Sequence, residues 1–83
     1  MKSPFLTYKQ LYAQLVQILN KYLLFKRKNG TALQANTKGI YELRTIVEKE
    51  LIELRQEQFI SYIPKFEIEL ISTNCLDFRL YYE

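Results

Sequence analysis

The sequence predicts an α+β fold: two long antiparallel helices followed by a C-terminal antiparallel β-hairpin, in the order α-α-β-β. Three observations carry this expectation. Apolar residues recur at steps of three and four between Tyr8 and Phe25, and again between Ile40 and Leu54. Pro64 then bars further helix and pushes Ile63 into an extended conformation. From Lys65 onward the apolar period drops to two. The whole chain, 1–83, reads as a single domain, just above the size at which a core stands without disulfides or metal. A hydrophobic share of 48% and an aromatic share of 14% argue against disorder, and two glycines and two prolines argue against a loop-rich scaffold.

The first helix is expected to begin at Thr7. Thr7 and Gln10 fit a capping box, in which each side chain satisfies a free backbone N–H. Leu6 and Leu11 stand where a hydrophobic staple sits. A start with Ser3 as cap and Pro4 as first helical residue competes with this. One apolar row runs Leu11, Leu15, Ile18, Tyr22, Phe25, and a second runs Tyr8, Tyr12, Val16, Leu19, Leu23. Together they make a stripe wider than one neighbouring helix requires. Leu24 falls on the polar row of Gln10, Gln14, Gln17 and Lys21, so it is expected to be exposed. Lys26-Arg27-Lys28 closes the helix, where cations oppose the negative dipole end, and Asn29-Gly30 supplies a left-handed stop.

Residues 31–37 read as a loop, with Asn36 or Thr37 as the next cap. The second helix is expected over 38 to about 60. Its core positions are Ile40, Leu43, Val47, Leu51 and Leu54, with Ile46 and Ile52 beside them. Glu42, Glu48, Lys49, Glu53 and Gln56 make an ordinary solvated face. In the hairpin, Phe66, Ile68 and Leu70 alternate with Lys65, Glu67, Glu69 and Ile71, while Leu76, Phe78, Leu80 and Tyr82 alternate with Asp77, Arg79 and Tyr81. Charge is used to choose the register. A loop at 73–75 sets Glu69 against Arg79 and Lys65 against Glu83, with Leu70 opposite Phe78, Ile68 opposite Leu80 and Phe66 opposite Tyr82. A loop at 72–74 sets Glu69 against Asp77, a like-charge pair. Pairs of this kind are worth ~0.2–1 kcal/mol, so the first register is expected.

The formal net charge of +3 hides a strong asymmetry. Residues 1–38 carry seven basic residues (Lys2, Lys9, Lys21, Lys26, Arg27, Lys28, Lys38) and no acidic one, whereas residues 39–83 carry five basic and nine acidic ones. Either the halves complement each other within one monomer, or the basic half meets an anionic partner.

Several chemistries lack their parts. There is no histidine, the commonest general base and metal ligand. The single Cys75 builds neither an internal disulfide nor a zinc site, and a reducing cytoplasm is the expected compartment. Gly30 and Gly39 form no phosphate loop. Glu67 and Glu69 share one strand face, and a solvent-facing pair balanced by Arg79 is preferred to a catalytic dyad. Lys9, Gln10, Gln14, Gln17, Asn20 and Lys21 interrupt the first apolar stretch, so neither a signal peptide nor a membrane span is expected. The chain is therefore read as non-enzymatic, with no catalytic residue, no cofactor and no metal, and with neither a membrane nor a small-molecule substrate as partner.

Two binding readings follow. The first is a small structural or adaptor protein that self-associates or docks into a larger protein assembly. A lone hairpin exposes two edges, and nothing later in the sequence covers its last strand. The contacts expected are Ile71, Arg79 and Tyr81 on the hairpin and Leu24 on the spare face of the first helix. The alternative is sequence-independent nucleic-acid binding by Lys21, Lys26, Arg27, Lys28 and Lys38, with Tyr8, Tyr12 and Tyr22 nearby. A winged-helix reading fits poorly, because the second helix is long and its polar face is acidic.

Overall fold

The computed structural model describes residues 5–72 and 75–81. It contains helix α1 (Tyr8–Lys28), helix α2 (Thr37–Gln56) and a two-stranded antiparallel sheet of β1 (Lys65–Ser72) and β2 (Cys75–Tyr81). This is the α-α-β-β arrangement that the periodicities predict.

Helix α1 starts as the capping box requires. The Gln10 N–H donates to Thr7 Oγ1 at 3.2 Å, and the Thr7 N–H donates to Gln10 Oε1 at 3.0 Å. Ser3 and Pro4 of the competing start lie outside the described residues. At the other end Gly30 adopts φ 71°, which glycine reaches without a Cβ clash. The chain then folds back so that the Gly30 N–H donates to the Arg27 carbonyl and the Thr31 N–H to the Lys26 carbonyl. That pair of bonds is a Schellman closure. Helix α2 is capped by Asn36, whose Oδ1 accepts the Gly39 N–H at 3.1 Å. It ends at Gln56, earlier than expected, through a second closure of the same kind: Gln58 N–H to the Arg55 carbonyl and Phe59 N–H to the Leu54 carbonyl. Here the left-handed position is held by Gln58, at φ 64°.

The helices run antiparallel. Gln14 on α1 donates to Glu50 Oε1 at 2.9 Å, and Tyr22, two turns later, donates to Glu42 Oε2, two turns earlier on α2. The core between them is Leu11, Leu15, Leu19 and Leu23 of α1 against Leu43, Val47, Leu51 and Leu54 of α2. The buried row of α1 thus takes Leu19 and Leu23 from the second sequence row. Ile18 and Tyr22 are half-buried, and Phe25, placed on the first row by spacing, is exposed. Ile40 is half-buried and Ile52 exposed.

The hairpin lays Phe66, Ile68 and Leu70 of β1 and Phe78 and Leu80 of β2 onto this helix pair. The core is apolar throughout, and no polar or charged residue is buried among the described residues. The molecule is elongated, 46 × 24 × 19 Å.

The register differs from the one expected. Phe66 pairs with Leu80, Glu67 with Arg79, Ile68 with Phe78 and Glu69 with Asp77. Lys65 pairs with Tyr81 rather than with Glu83, which lies outside the described residues with Thr73, Asn74 and Tyr82. A β-bulge between Leu70 and Ser72 inserts Ile71 and lets Ser72 pair with Cys75. The like-charge argument failed because it weighed Glu69 against Asp77 in isolation. Arg79, two residues along the same strand, donates from Nε and Nη2 to Asp77 Oδ2 at 3.1 and 3.0 Å. Arg79 also stands opposite Glu67 in the ladder, on the same face as both carboxylates. One cation on the same face thus offsets the penalty.

Candidate functional site

The two rims of the hairpin are not equivalent, and this follows from its closing pair. Ser72 and Cys75 pair across only two intervening positions, and such a pair must exchange its own backbone hydrogen bonds. Alternation along the unbulged β2 then turns the backbone groups of Leu76, Phe78 and Leu80 away from β1. By the same ladder, Phe66, Ile68 and Leu70 of β1 turn their backbone groups away from β2.

On the β2 side, α1 supplies donors. The Tyr12 hydroxyl donates to the Phe78 carbonyl at 3.0 Å, and the Tyr8 hydroxyl reaches the Leu80 carbonyl at 3.4 Å. The Tyr12 ring stands between Tyr8 and Phe78, with centroid distances of 6.1 and 5.5 Å. These hydroxyls sit where the N–H groups of an incoming strand would have to come. The expectation of two open edges is therefore corrected on this side: an earlier segment, the first two turns of α1, covers part of the β2 edge. The sequence placed Tyr8 and Tyr12 near the basic cluster, but they lie at the hairpin end instead. A tyrosine ring packed on apolar neighbours brings its polar tip to an acceptor, and the i, i+4 spacing of two tyrosines on the apolar face was the available signal.

On the β1 side, no side chain or loop hydrogen-bonds the outward backbone groups of Phe66, Ile68 or Leu70 among the described residues. Arg44 of α2 lies along this rim and borders Phe66 as well as Glu67, Ile68 and Glu69. Its guanidinium lies 4.7 Å from the Phe66 ring centroid and 3.9 Å from Glu48 Oε1. An open groove of about 470 Å³ passes between Arg44, Ile63, Pro64 and Phe66.

The hairpin residues singled out by sequence divide between the two roles. Ile71, in the bulge, is 62% exposed. Arg79 and Tyr81 are exposed but already engaged: Arg79 holds Asp77, and the Tyr81 hydroxyl donates to Glu67 Oε2 at 3.1 Å. Asp77, and then Tyr81, hold the Arg79 guanidinium above the ordinary arginine pKa. Leu24 is 43% exposed, as its row predicted. It does not join the hairpin surface, and shares a shallow depression with Asn20, Leu23 and Arg27 near the far end of α1.

That far end collects the cations. Lys21, Lys26, Arg27 and Lys28 lie in the last turns of α1, and Lys38 lies in the first turn of α2. Lys26 and Lys38 line one cavity of about 150 Å³ with Asn36 and Glu42. None of the five is ion-paired among the described residues, where the ion pairs are Arg44–Glu48 and Arg79–Asp77. Among the described residues, complementarity of the two halves within the monomer thus makes no contact ion pair. Of the three tyrosines expected nearby, Tyr22 is present, with Lys26 Nζ 5.5 Å from its ring centroid.

Among the described residues no helix is long and apolar enough to cross a membrane, and no group of histidine, cysteine or carboxylate side chains is placed to hold a metal ion. Comparison of the chain with protein-family models, with curated proteins and with solved structures finds no match. The functional reading therefore rests on the surfaces themselves.

Proposed function

We propose that this protein is a small, non-enzymatic docking module that joins a protein assembly by accepting a partner's strand along the rim of β1. The observation that carries the reading is the inequality of the rims. In a sheet of only two strands, β2 has carbonyls taken by helix tyrosines, while β1 presents Phe66, Ile68 and Leu70 without such donors. Strand addition supplies the missing main-chain bonds, and alternate side chains supply selectivity. A foreign strand suits this rim better than a second copy. Symmetric pairing of two β1 strands centred on Ile68 sets Glu67 against Glu69 twice, and centring on Glu69 sets that carboxylate against itself.

Amide hydrogen exchange on the free protein tests this directly. The amides of Phe66, Ile68 and Leu70 are expected to exchange much faster than those of Glu67 and Glu69, which point into the ladder. Equal protection of both sets in a monomer would remove the basis of the reading. Light scattering settles the part of the second copy, since a stable dimer at low micromolar concentration would make the partner another molecule of this chain.

A second reading has its own observation, the five unpaired cations at the far end of the helix pair. They support sequence-independent contact with a polyanion such as DNA or RNA. Titration with a random duplex at two salt concentrations decides it. Affinity that falls steeply with salt, and falls again in a Lys26→Gln/Lys38→Gln variant, supports the reading. Absence of binding at low salt ends it.

A further inference from the structure

We propose that the strand received by β1 carries lysine or arginine at alternate positions facing Glu67 and Glu69, with apolar residues between them. This names the partner chemistry for the docking reading above and rests on it. The ladder places Glu69 beside Asp77 and gives Arg79 to Asp77, so the local cation is spent on one carboxylate of the pair. Glu69 itself is exposed and makes no hydrogen bond or ion pair. Glu67 accepts only the neutral Tyr81 hydroxyl, although Arg79 lies opposite. Viewed from the open side of β1, the outer face therefore presents two successive carboxylates, one of them uncompensated. On a third strand, residues directly beside Glu67 and Glu69 would stand about 4.5–5.5 Å away, the distance at which cross-strand charges choose partners. A cation there relieves the Glu69–Asp77 contact as well as forming its own pair. The intervening residues of that strand fall beside Phe66, Ile68 and Leu70, on the face that packs toward the helices, so they are apolar. Arg44 borders the same pocket as Glu67, Ile68 and Glu69, but its ion pair is with Glu48, so among the described residues neither carboxylate of the rim has a cation bonded to it.

The test uses the full chain and three short peptides with the same apolar residues and with lysine, threonine or glutamate at the alternating positions. Binding is read from shifts of the Phe66, Ile68 and Leu70 amides. A charged peptide that settles on the basic end of the helices is thereby not counted. The lysine peptide is expected to bind roughly tenfold more tightly than the glutamate peptide at low salt, with threonine between them. The difference should shrink at high salt. Glu69→Lys removes a like-charge contact and leaves the core untouched, so it keeps the fold, and it should abolish or reverse the order. If threonine binds as well as lysine, or glutamate binds better, the charge proposal fails and the docking reading stands. If no peptide moves these amides, both fail.

Discussion

The two ends of this molecule treat their polar groups in opposite ways. At the hairpin end most polar side chains are assigned, although the outward backbone groups of β1 are not: Tyr12 and Tyr8 to carbonyls of β2, Tyr81 to Glu67, Arg79 to Asp77, Arg44 to Glu48. At the far end the backbone is well closed by the Gly30 turn and the Asn36 cap, but the cations beside it are left to solvent. The difference separates structure from recognition. Where side chains are bound to each other, an unassigned group such as Glu69 stands out. Where none of the five cations is ion-paired among the described residues, charge density rather than any one residue is the feature.

The largest test of this contrast uses one residue type at both ends. Phe78 is 3% exposed and packs on Tyr12 and Phe66, whereas Phe25 is 61% exposed. Phe78→Ala should cost about 3–5 kcal/mol in urea unfolding, and Phe25→Ala less than about 0.5 kcal/mol. If the variant of Phe78 does not fold, Phe78→Leu should still lose measurably more than Phe25→Ala. A comparable loss at both positions would mean that the far end carries core that the burial pattern does not assign to it.

Next in size is Gly39→Ala. A Cβ on Gly39 would clash with the Gln34 carbonyl oxygen, which belongs to backbone and cannot swing aside. The first turn of α2 or the preceding loop must shift, at a cost of about 1–3 kcal/mol. The shift should be felt most at Lys26 and Lys38, whose shared cavity it borders. The Tyr12 hydroxyl comes after this. Tyr12→Phe should cost about 1 kcal/mol, and Tyr8→Phe, with its 3.4 Å contact, visibly less. Equal losses would show that the hydroxyls do not hold the β2 rim in the way their distances indicate.

Much of this fold was legible in the sequence because its signals are local. Thr7 with Gln10, Asn29 with Gly30, Asn36 and Pro64 each declare a boundary through their own chemistry. The alternation after Lys65 assigned the inward face correctly for the described residues of both strands. What was not legible depends on groups brought together from afar. The row of α1 that becomes fully buried, Leu11 to Leu23, is fixed by where α2 and the hairpin both press on it. Helix α2 stops at Gln56 with Gln58 in the left-handed region, where no glycine announces the stop. Gly39 reads as an indifferent residue until Gln34 is placed against it. Among the proposed contacts, the exposure of Leu24 and Ile71 was readable, but the commitments of Arg79 and Tyr81 were not, because they follow from the register. The roles of Tyr8 and Tyr12 needed the path of β2, and those of Arg44 and Glu69 needed the rim of β1.

The smallest effect goes to the center of the register. Pairwise cross-strand rules reject Glu69 opposite Asp77, yet the ladder adopts it with Arg79 bridging from the next position on the same face. If Arg79 is the reason, Arg79→Gln should leave the core packing intact and let the two carboxylates repel. The expected loss is small and confined to low salt, because the site is open to solvent. Added salt should erase most of it. The double variant Arg79→Gln/Glu69→Gln should regain stability relative to the single variant, since one of the two charges is gone. A single variant that loses nothing, or a double variant that regains nothing, would mean the bulge at Ile71 and the turn impose the register regardless of charge. Glu69 would then stand beside Asp77 merely because the backbone puts it there. The same double-mutant comparison, read at the Phe66, Ile68 and Leu70 amides, also shows whether easing that contact changes the affinity of the rim for the lysine peptide.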